Sequence, residues 1–294
     1  MKPKTNEDRL VEISVLGEVT PPPAGRNPWA VHAESGKVAS YPSVGGIVYG
    51  IRTGDSCIDI EADHVEAGVS VSYFGQTWPN NAGNYGLNLY ACVGNVATVI
   101  NGGAKGKKGA VTGKHGGIEH VLVDFDEKTK DKLVIGDKMQ IRAKGVGLKF
   151  TNFDGVSIMN ASPALVSAMA LNVKGGKLEV PVTHVIPAKI MGSGLGATSA
   201  ASGDYDIQMF DEAVNKEYKL GTLRFGDIVA ITDADSTYGR IFRTGAITVG
   251  VVVHSICHTA GHGPGVCTLF ASTEGRIKPI VDKDANLKFI LGLK

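Results

Sequence analysis

The sequence is short of several features that would settle its class at once. Cysteine occurs four times, as Cys57, Cys92, Cys257 and Cys267, with no CxxC pair. This excludes a small disulfide scaffold and a zinc knuckle. Aromatic residues make up only 6%, which leaves few stacking platforms for nucleic-acid bases. Charge imbalance is missing: 30 Lys and Arg stand against 29 Asp and Glu, so no global field points to nucleic acid or to an acidic membrane surface. No apolar run approaches the roughly eighteen residues of a spanning helix, and MKPKTNEDRLVEISVLGEV has no apolar centre of signal-peptide length. The expectation is a cytoplasmic protein with reduced thiols, a small-molecule ligand, no membrane and no nucleic-acid partner. Nucleophile and nucleotide motifs are also absent. There is no GxSxG and no GxxxxGK[ST], and the GSGLG of MGSGLGATSAASGDYDIQ has neither dinucleotide spacing nor a βαβ context.

Glycine is abundant instead, at 39 of 294 residues. It is spread as punctuation between short β-branched runs, which suits many turns and many strands. The runs GGIVYGI, SCIDIEA, GVSVSYF, AVTGKHGG and EHVLVDF read as strands, and three Gly-Asp pairs, at 54–55, 136–137 and 226–227, each precede an apolar or alternating run. Ser162 followed by Pro163 starts a helix through ALVSAMAL. A second short helix, or a hairpin, falls at 209–218. KLEVPVTHVIP, YKLGTLRF, DIVAITD, AITVGVVVHS, GVCTLFAS and the tail KFILGLK read as further strands. The fold class is therefore mainly β: two β-rich lobes of barrel or sandwich type with few short helices, divided at KGGK into 1–174 and 175–294.

Of the eight histidines, His32 and His184 look incidental. The other six fall in three places: DHVE, with Asp63, His64 and Glu66; KHGGIEH, with Lys114, His115, Glu119 and His120; and HSICHTAGHGPG, with His254, His258 and His262. A segment such as AGHGPG cannot form a regular helix or a central strand, so His262 is presented by a tight loop. His with Glu suits metal binding or a base and its orienter. Lys105, Lys107 and Lys108 among glycines suit an anion, or equally a solvated hairpin. Asp204 and Asp206, two apart, share a strand face as a paired-carboxylate or cation site. DADSTYGR adds Arg240.

The runs YPSVGGIVYGIRTGDSCIDIEADHVEAGVS, GGAKGKKGAVTGKHGGIEHVLVDF and FGDIVAITDADSTYGRIFRTGAITVGVVVHS, the last followed by AGHGPGV, resemble the bacterial family known as domain of unknown function 4438. Ala67 stands where the family pattern has proline after DHVE. The resemblance implies a mainly β architecture and carries no assigned activity.

The leading expectation is an enzyme with a composite site between the lobes. His115, His120, His258 and His262 are its catalytic candidates. Lys105, Lys114, Asp204, Asp206 and Arg240 are its ligand-binding candidates. His64, Glu66, His120 and His262 are candidates for a divalent metal such as zinc or manganese. The chemistry expected is metal-assisted or acid–base hydrolysis of a small polar or anionic metabolite. The rivals are a non-catalytic ligand- or nucleic-acid-binding barrel, and a structural homo-oligomer packed through its glycines.

Overall fold

The computed structural model describes residues 1–23, 30–31, 36, 38–39, 41–73 and 81–293. His32 lies outside the described residues. In chain order the first half contributes β1 (Ile13–Val19), β2 (Ala30–Val31), β3 (Val38–Ala39), β4 (Val69–Ser72), α1 (Ala82–Tyr90), β5 (Val96–Val99), β6 (Lys108–His115), β7 (His120–Asp124), α2 (Glu127–Lys130), β8 (Lys138–Ala143) and β9 (Ser157–Ile158). The rest contributes α3 (Pro163–Ala168), β10 (Asn172–Lys174), β11 (Lys177–Val182), β12 (His184–Pro187), α4 (Glu212–Glu217), β13 (Ile228–Asp235), β14 (Ile241–Val252), β15 (Val266–Ser272), β16 (Ile277–Val281) and α5 (Leu287–Ile290).

β1, β4, β7, β6, β5 and β8 close into a six-stranded barrel in that order. Strand alternation sends one set of side chains inward, and Val19, Val71, Val99, Val123, Met139 and Ile141 fill the interior. The second half builds a five-stranded sheet, β12-β13-β14-β15-β9, and a three-stranded sheet, β10-β11-β16. Leu178, Val180 and Val182 pack with Ile228, Val249, Val251 and Leu269 in one core. Ile186, Val229, Ile231, Val252 and Val266 pack with loop residues Tyr205, Ile207 and Phe225 in another. The five-stranded sheet is thus covered on both faces, which explains why β15 is buried along its whole length and reads as a continuous apolar run.

The chain crosses between the two halves. β9 pairs with β15. The segment around 53–66 lies along the second half, with bridges Ser56↔Arg224 and Glu66↔His254 and backbone bonds between His64 N and Ile256 O and between Ser255 N and Val65 O.

The three Gly-Asp pairs share one device. Each aspartate accepts from the backbone N–H three residues earlier: Arg52 for Asp55, Val134 for Asp137, Arg224 for Asp227. Two of these turns launch β8 and β13. The first does not, because the Ser56 hydroxyl accepts from the N–H groups of Ile58 and Asp59 and folds SCIDIEA into bends. GGIVYGI likewise makes only an isolated bridge at Ile47, since Gly45, Gly46 and Gly50 all take positive φ. YKLGTLRF is a 3₁₀ turn entered through left-handed Lys219. The tail is the short α5, capped by the Asn286 side chain on Lys288 N. α3 starts at Pro163 with the Ser162 cap on Leu165 N, as its start signal requires. The 209–218 alternative resolves as helix α4. α1 carries two glycines and no side-chain cap, so its sequence signal is weak. Among the described residues no helix is long and apolar enough to cross a membrane.

One buried cation holds the start of the crossing segment. Lys130 is fully buried, and its Nζ donates to Val48 O at 2.7 Å and Ile51 O at 3.2 Å. Lys130→Met keeps the aliphatic stem and orphans both carbonyls. It should lower unfolding free energy by about 2–4 kcal/mol, measured as a reduced urea midpoint at unchanged slope.

Candidate functional site

The site forms where the barrel rim meets the loops of the second half. β6 ends at His115 and β7 begins at His120, directly paired across the ladder. Glu66 comes from the crossing segment, where its backbone bridge to His254 fixes it. Its carboxylate is completely buried and ringed by donors: His115 Nδ1 at 2.6 Å, His120 Nδ1 at 3.0 Å, Gly45 N at 2.9 Å and the Ser70 hydroxyl. Burial opposes its ionisation, and the hydrogen bonds from His115 and His120 outweigh that, holding the carboxyl well below its ordinary range. An ionised carboxylate only accepts, so both rings carry their proton on Nδ1.

The second half supplies the remaining groups. His254 follows β14, fully buried. Its ring stacks on His115, centroids 4.2 Å apart, and lies tilted against His64 at 4.9 Å. His254 Nδ1 contacts Ser255 O at 2.9 Å, so that nitrogen holds a proton. Nε2 lies 2.8 Å from Asp204 Oδ2 and 3.6 Å from Asp206 Oδ1. Burial disfavours charge on His254, but the two carboxylates prevail and hold its pKa well above the ordinary value. Asp204 is held low against burial by His115 and His254; its other oxygen accepts from Gly116 N at 2.8 Å. Asp206 Oδ2 takes Gly263 N at 3.3 Å and lies 4.0 Å from His64 Nε2. His262 meets His64 edge-on, with centroids 5.3 Å apart, and its Nδ1 contacts Ala260 O at 3.1 Å. His64 Nδ1 contacts Asp63 at 3.2 Å. Desolvation lowers the His64 pKa.

Two backbone features make this crowding achievable. Gly265 has no room for a side chain: a Cβ there would overlap Asp204 Oδ2 and His254 Nε2. The glycines of GHGPG therefore let a strand edge pass directly against the charged cluster. His64 itself has φ +61°, a left-handed conformation that costs a non-glycine residue of order 1–3 kcal/mol. It is pinned there by its N–H on Ile256 O.

A cavity of about 510 Å³ opens onto the cluster, lined by His64, His115, Asp204, Asp206, His262 and Arg240 together with the glycine and serine backbone of 193–203 and Gly116–Gly117. At its wall and just behind it, two overlapping donor sets have one nitrogen or oxygen from each residue within 4.8 Å of the others: Asp204, Asp206 and the buried His254, and His64, Asp206 and His262. A third, His64, His115 and His254, overlaps both.

Not every candidate reaches the cavity. Glu66 and His120 stand behind His115, joined to it rather than to the donor sets. His258 stacks on Tyr41, with centroids 4.9 Å apart. Lys114 is fully buried beneath the cavity floor, donating to Asn160 Oδ1 at 2.7 Å and Ala201 O at 3.0 Å. Burial lowers its pKa, and it braces the 193–203 loop instead of lining the cavity. Lys105 lies in the exposed turn between β5 and β6, at the far end of β6 from His115, roughly 20 Å away at strand rise. His184 is satisfied by Thr183, Lys219 and Thr222, a structural role. His254 was grouped with its loop in the sequence but not singled out, because VVVHS reads as a strand end; the bridge to Glu66 that makes it central is non-local.

No curated protein matches the chain. A solved structure titled "Crystal structure of TM1086" superposes with a TM-score of 0.91 and is 44% identical, covering 98% of this chain and 99% of that one. The models of the domain of unknown function DUF4438 match in two parts, the N-terminal model over residues 29–167 and the C-terminal model over 168–291. The chain therefore belongs to the DUF4438 family, mainly β with a closed barrel, and its two family segments each contribute residues to the cavity.

Proposed function

We propose that this protein is a divalent-metal-dependent hydrolase acting on an amide, ester or similar bond of a small polar metabolite. One observation carries the reading. The three imidazoles read as ligands, His64, His254 and His262, each engage an acceptor through Nδ1: a carboxylate for His64, a backbone carbonyl for His254 and His262. Metal-bound histidines are oriented in this way, the other ring N–H fixed by a carboxylate or carbonyl so that Nε2 can offer its lone pair; at His254 an ion would take the place of the proton that Asp204 and Asp206 favour on Nε2.

The donor chemistry fits an ion. His254 Nε2 and Asp204 Oδ2 are both buried, and neither has a partner in acceptable hydrogen-bond geometry. Yet they lie 2.8 Å apart, near enough for both to be donors to one ion. Mixed imidazole and carboxylate donors suit zinc or manganese. Asp206 turns Oδ1 toward His254 and Oδ2 toward His64, so its carboxylate would be available to both donor sets. A bound ion would polarise the scissile carbonyl and acidify a water.

The chain's own residues then handle the proton. His115 lines the cavity, and Glu66 behind it accepts from Nδ1, so the ring can take a proton from the attacking water at Nε2 with the resulting charge stabilised by Glu66. The same nitrogen returns that proton to the departing amine or alcohol. Water adds across the bond, giving an acid and an amine or alcohol. Buried Glu66 keeps the histidine tautomer fixed throughout.

Elemental analysis of protein purified without chelator should give close to two ions per chain. Asp206→Asn should lose both, and Asp204→Asn should retain about half. A chain with no metal and no thermal shift on titration with Zn²⁺ or Mn²⁺ would sink the proposal. His115→Gln should keep its metal and lose about 10²–10⁴ in turnover on a responsive substrate, and Glu66→Gln, which removes the charge that steadies the same ring, should likewise keep the metal and lower turnover. His64→Gly removes a ligand and relieves left-handed strain together. It should bind metal less tightly while the metal-free protein melts no lower than the parent, as read by differential scanning fluorimetry with and without EDTA.

A further inference from the structure

The cavity wall also holds a cation that the hydrolytic reading leaves without a task. Arg240 is 3% exposed and lines the cavity beside Asp204, Asp206 and His262. Its backbone is clamped to the 193–203 loop, N to Ala197 O at 2.9 Å and O to Gly196 N at 2.8 Å, so the guanidinium is presented by a fixed strand start. Its only side-chain hydrogen bond among the described residues is from Nη2 to Ser202 O at 3.1 Å. Nε is buried with no partner, and among the described residues no carboxylate forms an ion pair with it. Asp204 and Asp206 act on it through space, but a buried guanidinium N–H left without a hydrogen-bond partner is costly, and it is relieved by an anionic acceptor that arrives from outside.

We propose that Arg240 anchors a free carboxylate of the substrate, so that the metabolite hydrolysed is an amide or ester bearing a carboxylic acid close to the scissile bond. A planar carboxylate matches the two-pronged face of a guanidinium. A phosphate dianion matches it too, but Asp204 and Asp206 line the same cavity and oppose a second negative charge. The cavity volume of about 510 Å³ is that of a small-metabolite site. The substrate assignment rests on the hydrolase reading, whereas anion capture by Arg240 does not need a metal, which lets the two be tested apart.

The test is calorimetric titration of the full chain with N-acetylglycine, with its neutral amide N-acetylglycinamide and with inorganic phosphate. Each is run on EDTA-treated protein and again after reloading with Mn²⁺. N-acetylglycine should bind the metal-free chain at least about tenfold more tightly than the amide or phosphate. Arg240→Lys, which keeps the charge but not the fork, should lose about tenfold in that affinity with unchanged metal content. Equal binding of acid and amide, no binding of the acid at millimolar concentration, or an Arg240→Lys variant that binds the acid as the parent does, overturns the proposal. Tighter binding of phosphate overturns the carboxylate assignment. If Arg240→Lys fails to fold, the acid-to-amide ratio on the parent chain decides. Arg240-dependent acid binding by a chain that takes up no metal would leave this anchor standing and remove the hydrolase reading.

Discussion

The buried carboxylate of Glu66 is the constraint from which the rest of the site follows. A charge at zero exposure is tolerated only when every lone pair meets a donor. The donors come from separate stretches of chain: Gly45, Ser70 of β4, His115 of β6 and His120 of β7. Satisfying one carboxylate therefore fixes the entry loop, three barrel strands and two imidazole tautomers together. The backbone bridge from Glu66 to His254 then transmits that register to the second half. Removing one partner from such a network leaves an uncompensated buried charge, typically a loss of about 3–5 kcal/mol.

Close approach is the second requirement, and glycine supplies it. Asp204 reaches Gly116 N, and a Cβ at Gly116 would crowd Gly203 and Asp204. Gly265 lets β15 begin against His254 and Asp204 without a clash. The loop carrying the two aspartates is braced from beneath by Lys114 and by Asn160, whose amide donates to Ala200 O and Thr268 O. α1 braces the other side: Asn84 and Asn88 both donate to Glu119 O, holding the β6–β7 turn with Glu119 in a left-handed conformation. The cavity walls are loops, but each is tied to a strand or helix by a buried polar side chain.

This division explains what the sequence disclosed. Alternation and β-branched runs announced a mainly β fold of barrel or sandwich type, because those signals are local and dictated by burial. Gly-Asp pairs announced turns but could not tell whether a strand followed, since that depended on Ser56 capping its own neighbours. Glycine-framed histidines pointed to loops around a site, and His64, His115, Asp204, Asp206, Arg240 and His262 do line one cavity. The division of labour among them was not legible. Glu66 and His120 read as ligands because His-x-Glu spacing is what ligands share with their orienters; only the Nδ1 contacts separate the two. Lys114 read as an anion binder because nothing in GKHGG reveals that its side chain turns inward. His254 was hidden by its apolar neighbours.

A structural explanation of the cluster meets an energetic difficulty. Buried ionic networks commonly add less stability than apolar side chains of the same volume. This one adds left-handed strain at His64, an unpaired Arg240 Nε, and a contact between His254 and Asp204 that is near in distance yet poor as a hydrogen bond. A network built for stability would turn its imidazoles so that both nitrogens find partners, as His184 does between Thr183, Lys219 and Thr222. Here the four imidazoles around the cavity are anchored on the Nδ1 side, by two carboxylates and two carbonyls. The contrast lies within one chain: His184, away from the cavity, is satisfied on both sides, while His64, His115 and His262, which line it, and His254, buried beside them, are each held by a partner on Nδ1. Unspent bonding capacity, gathered at a cavity together with a guanidinium whose Nε has no partner, is what a binding site requires and what a folding core eliminates.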